Sequence, residues 1–336
     1  MNKYIAKRMD EGCKLFSLSA NKQLTEDVAN LLGVQVSPTV VTHFADGETL
    51  CEPVESVREK NCYIIQSTCG PVNENLFEIF VFVDALKRAS AKTINVIMPY
   101  YGYARQDRKS KPRQPITSRL VADLLKAAGV DRVVCVDLHA SQIQGFFSCL
   151  VDEITAIPLL ASHFVNKVDN DWITVSPDHG GVNRARKVAE RLNTPLAIID
   201  KRRKGPNVAE VLNIIGDVEG KHCLMVDDII DTAGSVAAGA KMLLEHGAKD
   251  VRIAATHGVF SANAKERLLG SGLFEEVVIT DSIPLKETMQ SDKVHVLSLA
   301  PMLAKIIEHI ELGMPLTIVY DMFVENLGKD SQSDGK

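Results

Sequence analysis

The chain has 336 residues, enough for about two domains of roughly 150 residues each. With 46% hydrophobic and 24% charged residues it has the composition of a globular protein with a sizeable core, which excludes collagen-like, disordered and coiled-coil chains. A net charge of −5 argues against a surface that tracks nucleic acid, and no apolar run approaches the ~18 residues of a membrane helix.

From the start, residues 1–16 (MNKYIAKRMDEGCKLF) carry positive charge but no apolar h-region, so secretion is not expected. Short, β-branched, apolar runs follow at 14–19, 40–44, 63–66, 94–98 and 133–136. A second series lies at 173–176, 196–199, 224–226, 253–256, 277–280 and 294–298. Being apolar on both faces, these runs predict parallel strands buried beneath helices. Between them, Leu76, Ile79, Phe80 and Val83 share one helical face. Val121, Leu124, Leu125 and Ala128 share another, followed by Gly129 as a C-cap, and Val236, Ala240, Leu243 and Leu244 a third, followed by Gly247. Such alternation builds βαβ units and an α/β fold of mostly parallel sheets flanked by helices. The two strand series repeat in order and spacing, which reads as an internal duplication. The expected domains are 1–155 and 156–327, with the boundary near 151–160 around Pro158, and a polar, disordered tail at 328–336. The seven cysteines are odd in number, form no CxxC pair and lie mostly in strand-like runs. They read as buried thiols in a reducing, cytoplasmic compartment.

In sheets of this kind ligands bind beyond the carboxyl ends of the strands. Residues 224–235, LMVDDIIDTAGS, fit that position. An apolar strand runs into Asp227 and Asp228, and Asp231 opens a small-residue turn, Thr232-Ala233-Gly234-Ser235, that starts a helix. Small residues let backbone N–H groups approach an anion, the helix N-terminus adds partial positive charge, and the hydroxyls add donors. The neighbouring carboxylates can accept hydrogen bonds from vicinal sugar hydroxyls. Phosphate plus diol points to a ribose phosphate.

The string resembles the phosphoribosyl-pyrophosphate loop of type I phosphoribosyltransferases. FADGE (44–48), YARQDRK (103–109), VDLHASQIQGFF (136–147) and SPDHGG (176–181) extend the resemblance over about residues 14–320. Together they are similar to the ribose-phosphate diphosphokinase (phosphoribosyl pyrophosphate synthase) family, class I type, of the type I phosphoribosyltransferase-like superfamily. The resemblance implies two similar phosphoribosyltransferase-like domains. It also implies transfer of the diphosphoryl group of ATP to the anomeric hydroxyl of ribose 5-phosphate, giving 5-phosphoribosyl 1-pyrophosphate and AMP for nucleotide biosynthesis.

The site residues follow from the same resemblance. Phe44, Asp46, Gly47 and Glu48 would stack on and accept from adenine in a neighbouring subunit's pocket, making a homo-oligomer, commonly a hexamer, with shared sites. Arg105 and Gln106, in a basic loop, would hold ATP. Residues 200–207, DKRRKGPN, have four consecutive cations and read as a loop beyond a strand end. There Lys201 and Arg203 match the catalytic positions, and Arg203 also faces ribose 5-phosphate. Their presence argues against a degenerate regulatory subunit. Asp227, Asp228, Asp231, Thr232, Ala233, Gly234 and Ser235 would bind ribose 5-phosphate, and His139 and Asp178 would hold the Mg2+ cofactor. One departure from the family pattern is Glu59, after Ser56-Val57-Arg58, where a glycine is usual.

Overall fold

The computed structural model describes residues 12–202 and 211–316, so the 328–336 tail lies outside the described residues. These residues form two compact units, divided between Thr155 and Ala156. Residues 282–284 and the stretch from Ser298 onward are grouped with the first unit.

The first unit runs β1 (Cys13–Ser17), α1 (Lys22–Leu32), β2 (Thr39–His43), β3 (Thr49–Pro53), β4 (Asn61–Ile65), α2 (Val72–Arg88), β5 (Thr93–Met98), α3 (Thr117–Ala128), β6 (Arg132–Val136) and β7 (Leu150–Ile154). Its sheet has the order β1-β4-β5-β6-β7, parallel throughout. The second unit contains α4 (Ile157–Ser162), β8 (Trp172–Ser176), α5 (Val182–Leu192), β9 (Leu196–Arg202), β10 (Val211–Ile215), β11 (His222–Ile230), α6 (Gly234–Glu245), β12 (Asp250–Gly258), β13 (Glu276–Thr280) and β14 (Val294–Leu297). Its sheet has the order β10-β9-β8-β11-β12-β13-β14, parallel except for the β9–β10 pair. Helix α7 (Ala300–Leu312) follows.

The inner order β1-β4-β5-β6-β7 of the first sheet matches β8-β11-β12-β13-β14 of the second. The match extends to the edge. Val36 makes a single parallel bridge to Leu15 in β1, in the place that β9 takes beside β8. The repeat read from spacing is therefore a repeat of topology. Residues 40–44 are a correction to the expected first series. They form β2, which pairs only with β3 in a separate antiparallel hairpin. Val40 and Leu50 are largely exposed, whereas a strand inside a helix-covered sheet would bury both faces.

Burial explains why the apolar runs are strands. β8 and β13 are buried at every position. Along β11, Cys223 and Met225 pack into one core with Val236, Ala240 and Leu243 of α6. Leu224 and Val226 pack into another with Leu160, Phe164 and Val188. The period-2 alternation of a strand thus feeds two cores, each fully buried aliphatic contributing about 1.5–3 kcal/mol. Gly129 ends α3 as read from the sequence, at φ 117°, with its N–H donating to Leu125 and Lys126. Helix α7 packs on α1, and Glu311 near its end accepts from the Tyr63 hydroxyl at 2.9 Å and Asn61 Nδ2 at 2.9 Å. This buried tie holds a late segment of the chain on β4 of the first unit. Glu59 adopts φ 59°, so the backbone keeps at Glu59 the left-handed form that the family's glycine would take freely.

None of the seven cysteines is in a disulfide, and Cys13, Cys51, Cys62, Cys69, Cys135 and Cys223 are buried. Burial pushes the Cys51, Cys62 and Cys223 thiols up to about 12, so they stay protonated and inert. No described helix is long and apolar enough to cross a membrane.

Candidate active site

In the second unit, the segments leaving the carboxyl ends of β8, β9, β11 and β12 are tied to one another. β11 carries Asp227 and Asp228 near its end. Arg184, from the first turn of α5, reaches Asp228 Oδ1 at 3.2 Å and Asp227 Oδ1 at 3.5 Å. Asp228 is buried and Asp227 partly open. Burial, then the charge of Asp228 and a hydrogen bond to it, push the Asp227 carboxyl well above the usual carboxylate range, and Arg184 draws it back down. The pair is thus a poised acceptor whose charge depends on one guanidinium.

Beyond the pair the chain turns into α6. Ala233, the residue before the helix, takes φ 58° and ψ 11°. A non-glycine residue in this conformation costs about 1–2 kcal/mol, and such strain clusters where a backbone must present itself to a ligand. The turn is braced from two sides. Asp231 accepts from the Ser261 hydroxyl, beyond β12, and Arg267 Nη1 donates to the Thr232 carbonyl at 2.8 Å. Arg267 lies in the π-type turn Glu266–Gly270. Thr232, just before α6, and Ser235, in its first turn, are exposed. Small residues and exposed hydroxyls at a helix N-terminus are features that suit an anion cradle. A Cβ on Gly234 would lie 3.3 Å from Arg267 Nη1. Gly234→Val should therefore displace the guanidinium that braces the turn as well as crowd the approach to it. We expect ribose 5-phosphate affinity to fall at least tenfold while ATP affinity changes less, measured by calorimetric titration of each. An unchanged sugar affinity would remove the cradle.

Asp178 stands exposed on the turn after β8, one oxygen accepting the Gly181 N–H at 2.9 Å. A Cβ at Gly180 would come within 3.3 Å of that oxygen, and one at Gly181 within 3.1 Å of Ser176 Oγ. The glycines leave the carboxylate an open approach. Its neighbour His179 bonds through Nε2 to the buried Asp200 at 2.7 Å. This fixes β9 one residue before Lys201. Strand β9 does not stop at Ile199 but continues through Asp200, Lys201 and Arg202, paired with β10. The basic run thus begins as the arm of a hairpin, where the sequence suggested a loop. Pairing with β10 carries the backbone further than apolarity alone could signal. Arg203 lies outside the described residues.

In the first unit, Phe44, Asp46, Gly47 and Glu48 form the exposed tip of the β2–β3 hairpin. The tip is closed by Phe44 N–H to Glu48 O at 2.8 Å and Glu48 N–H to Asp46 Oδ1 at 3.1 Å. Gly47 supplies the φ of +93° that the turn requires. Arg105 and Gln106 are exposed in the loop after β5, where Gln106 Oε1 accepts from Thr117 Oγ1 at 2.6 Å. Exposed His139 follows β6. Gln142, just after it, donates to Asp107 Oδ2 at 3.2 Å, which joins the β5 and β6 loops at the carboxyl edge of the sheet.

Arg184, His179, Asp200, Ser261 and Arg267 escaped the sequence reading. His179, inside SPDHGG, and Asp200, the first residue of the 200–207 run, lay within motifs. The others are brought in by strand order.

Comparison with known proteins identifies the family. Residues 13–129 match the N-terminal domain of ribose phosphate pyrophosphokinase, and residues 203–320 the phosphoribosyl synthetase-associated domain. Ribose-phosphate pyrophosphokinases of Oceanobacillus iheyensis and Bacillus subtilis are 50% and 52% identical, covering 93% and 89% of this chain and 98% and 94% of their own. The crystal structure of phosphoribosylpyrophosphate synthetase from Mycobacterium smegmatis superposes with a TM-score of 0.83 at 44% identity, over 89% of this chain and 98% of that one. Matched by both domain models and sharing half its residues with these relatives over nearly its whole length, the chain belongs to the ribose-phosphate pyrophosphokinase family.

Proposed function

We propose that the chain transfers the β,γ-diphosphoryl group of ATP to the anomeric hydroxyl of ribose 5-phosphate, releasing AMP and forming 5-phosphoribosyl 1-pyrophosphate for nucleotide biosynthesis. The observation that carries this reading is the braced turn at 231–235 behind the Asp227–Asp228 pair, in a chain half identical to enzymes of that name. The sugar phosphate lies on the α6 N-terminus, the diol on the acids. The hydroxyl attacks the β-phosphorus in line and AMP departs. Catalysis is positioning and charge neutralisation, with little covalent work for the protein. Lys201 and Arg203 supply cations at the transferring group. Arg105 and Gln106 hold ATP, Arg through its bidentate fork.

Mg2+ would be the cofactor, Asp178 supplying a carboxylate ligand and His139 a second one by the family resemblance, and it would neutralise polyphosphate charge. The open, oriented carboxylate of Asp178 suits a cation that prefers oxygen. The compartment is cytoplasmic, consistent with buried thiols in no disulfide. Incubation with ATP, Mg2+ and ribose 5-phosphate should yield AMP in step with a diphosphorylated sugar. ADP with a singly phosphorylated product would defeat the reading.

The active form is a homo-oligomer, a hexamer by resemblance, in which the 44–48 tip completes a neighbour's adenine pocket. The exposure of Phe44, at 49%, on a hairpin outside the sheet supports this. An Asp46→Ala/Glu48→Ala variant and a Lys201→Ala variant, each inactive, should recover part of the activity when mixed and reassembled. Full activity from a species that sediments as a monomer would refute the shared site.

A further inference from the structure

Three ligand-type side chains of the second unit meet at the amino ends of its last strands, the edge opposite the phosphate cradle. His163 caps α4, Glu276 opens β13 and His295 is the second residue of β14. Their ligand atoms all lie within 4.8 Å of one another. His163 Nε2 is 2.6 Å and His295 Nε2 3.3 Å from the same carboxylate oxygen, Glu276 Oε1. The other oxygen, Oε2, faces Arg252 at 3.7 Å, which holds the carboxylate so that Oε1 stays turned toward the rings. Lys167 Nζ sits 2.7 Å from Oε1 and 2.8 Å from His163 Nε2.

The contacts at His163 Nε2 compete with one another. His163 Nε2 carries either a proton or a lone pair. With a proton it donates to Glu276 but confronts the Lys167 ammonium. With a lone pair it accepts from Lys167 but confronts the carboxylate. Three lone pairs converging on one cation remove the competition, and the Lys167 ammonium already sits within 2.8 Å of two of the three ligand atoms. Metal–nitrogen and metal–oxygen bonds of about 2.0–2.2 Å give ligand atoms roughly 3.3–3.5 Å apart in a tetrahedron. The His295–Glu276 separation, 3.3 Å, already has that value, and the His163–Glu276 separation, 2.6 Å, would open by under about 1 Å. Lys167 and His295 are each 42% exposed, so the ammonium can swing out and an ion can enter.

We propose that His163, Glu276 and His295 form a binding site for a divalent transition-metal cation, zinc being the best match to two imidazoles and one carboxylate with water as fourth ligand. Lys167 is its internal competitor. A bound ion staples the end of α4 to β13 and β14, so it acts on stability and leaves the chemistry at the opposite edge alone.

The test uses the full chain, stripped with chelator and titrated with zinc chloride in excess magnesium, which occupies oxygen-rich sites. One zinc per chain should bind, and it should raise the melting temperature. A His163→Ala/His295→Ala variant should lose about a hundredfold or more in affinity while keeping its fold by circular dichroism and its diphosphoryl-transfer activity. His295→Ala, at a half-open position, serves if the double variant misfolds. Lys167→Met should bind zinc about tenfold more tightly. Cobalt(II) in place of zinc should give tetrahedral ligand-field absorption that the histidine variant lacks. Zinc affinity that is absent, or unchanged by the histidine substitutions, overturns the site. Weaker binding in Lys167→Met overturns the placement of the ion at the ammonium's position.

Discussion

Lys201→Ala should lower the turnover number at least a hundredfold, with ATP and ribose 5-phosphate affinities staying within about tenfold. Lys201 stands on β9 directly after Asp200, which His179 anchors, so its backbone is held firmly at the carboxyl end of the strand. Beyond it runs the cation-rich stretch to Gly205-Pro206. A preorganised cation matters most where charge redistributes, and loss of one such donor costs on the order of 3–4 kcal/mol in the transition state. Contacts made only there change turnover and leave ground-state affinity nearly alone. Arg203→Ala should follow the same pattern with an added loss for the sugar, while Arg202→Ala and Lys204→Ala should be milder. Rapid-quench measurement of the chemical step checks this. Near-normal chemistry in Lys201→Ala would reduce the run to a solvated surface.

Arg184→Met should weaken ribose 5-phosphate binding about a hundredfold at pH 7, because removing one partner of a buried charge cluster typically costs 2–5 kcal/mol. Arg184 is the cation that draws the Asp227 carboxyl down against burial and Asp228. Without it the carboxyl holds its proton to higher pH. A protonated carboxyl is a poor acceptor for sugar hydroxyls, whereas an ionised one is strong. The sign follows. In the unsubstituted enzyme sugar affinity should rise as pH climbs through the raised Asp227 value. In Arg184→Met the rise should move to higher pH, so part of the loss returns by pH 9. The linked effect on stability runs the other way. A carboxyl raised in the folded state contributes stability at low pH that is lost as pH rises through its folded value. Calorimetric titration at pH 7 and pH 9 decides, and equal losses at both would show that Arg184 does not act through the acids.

Much of the fold was legible because parallel strands are read by burial alone. Val133 to Val136 and Val277 to Ile279 are apolar wherever they point, and both are in sheet strands. The strands β3, β7 and β10 escaped. Leu150–Ile154 includes Asp152 and Glu153, and Val211–Ile215 includes Asn213, so edge strands with an open face lack the apolar run. The misplacement of 40–44 has the same origin, since TVVTH has strand propensity whether it joins a sheet or a lone hairpin. At the site, the strand-to-helix turn at 227–235 was legible because its acids and small residues form one contiguous string. Arg184 was not, because its bond to Asp227 and Asp228 spans more than forty residues and exists only through the β8–β11 pairing. Ser261 and Arg267 are invisible for the same reason.

The central claim is that the bond broken lies between the α- and β-phosphorus of ATP. ATP labelled at the β-phosphorus, turned over with ribose 5-phosphate and Mg2+, locates that bond directly. The account predicts that the label leaves with the sugar, in a product carrying a diphosphate, and that the AMP is unlabelled. Label recovered in ADP, with a sugar that has gained one phosphate, would contradict it.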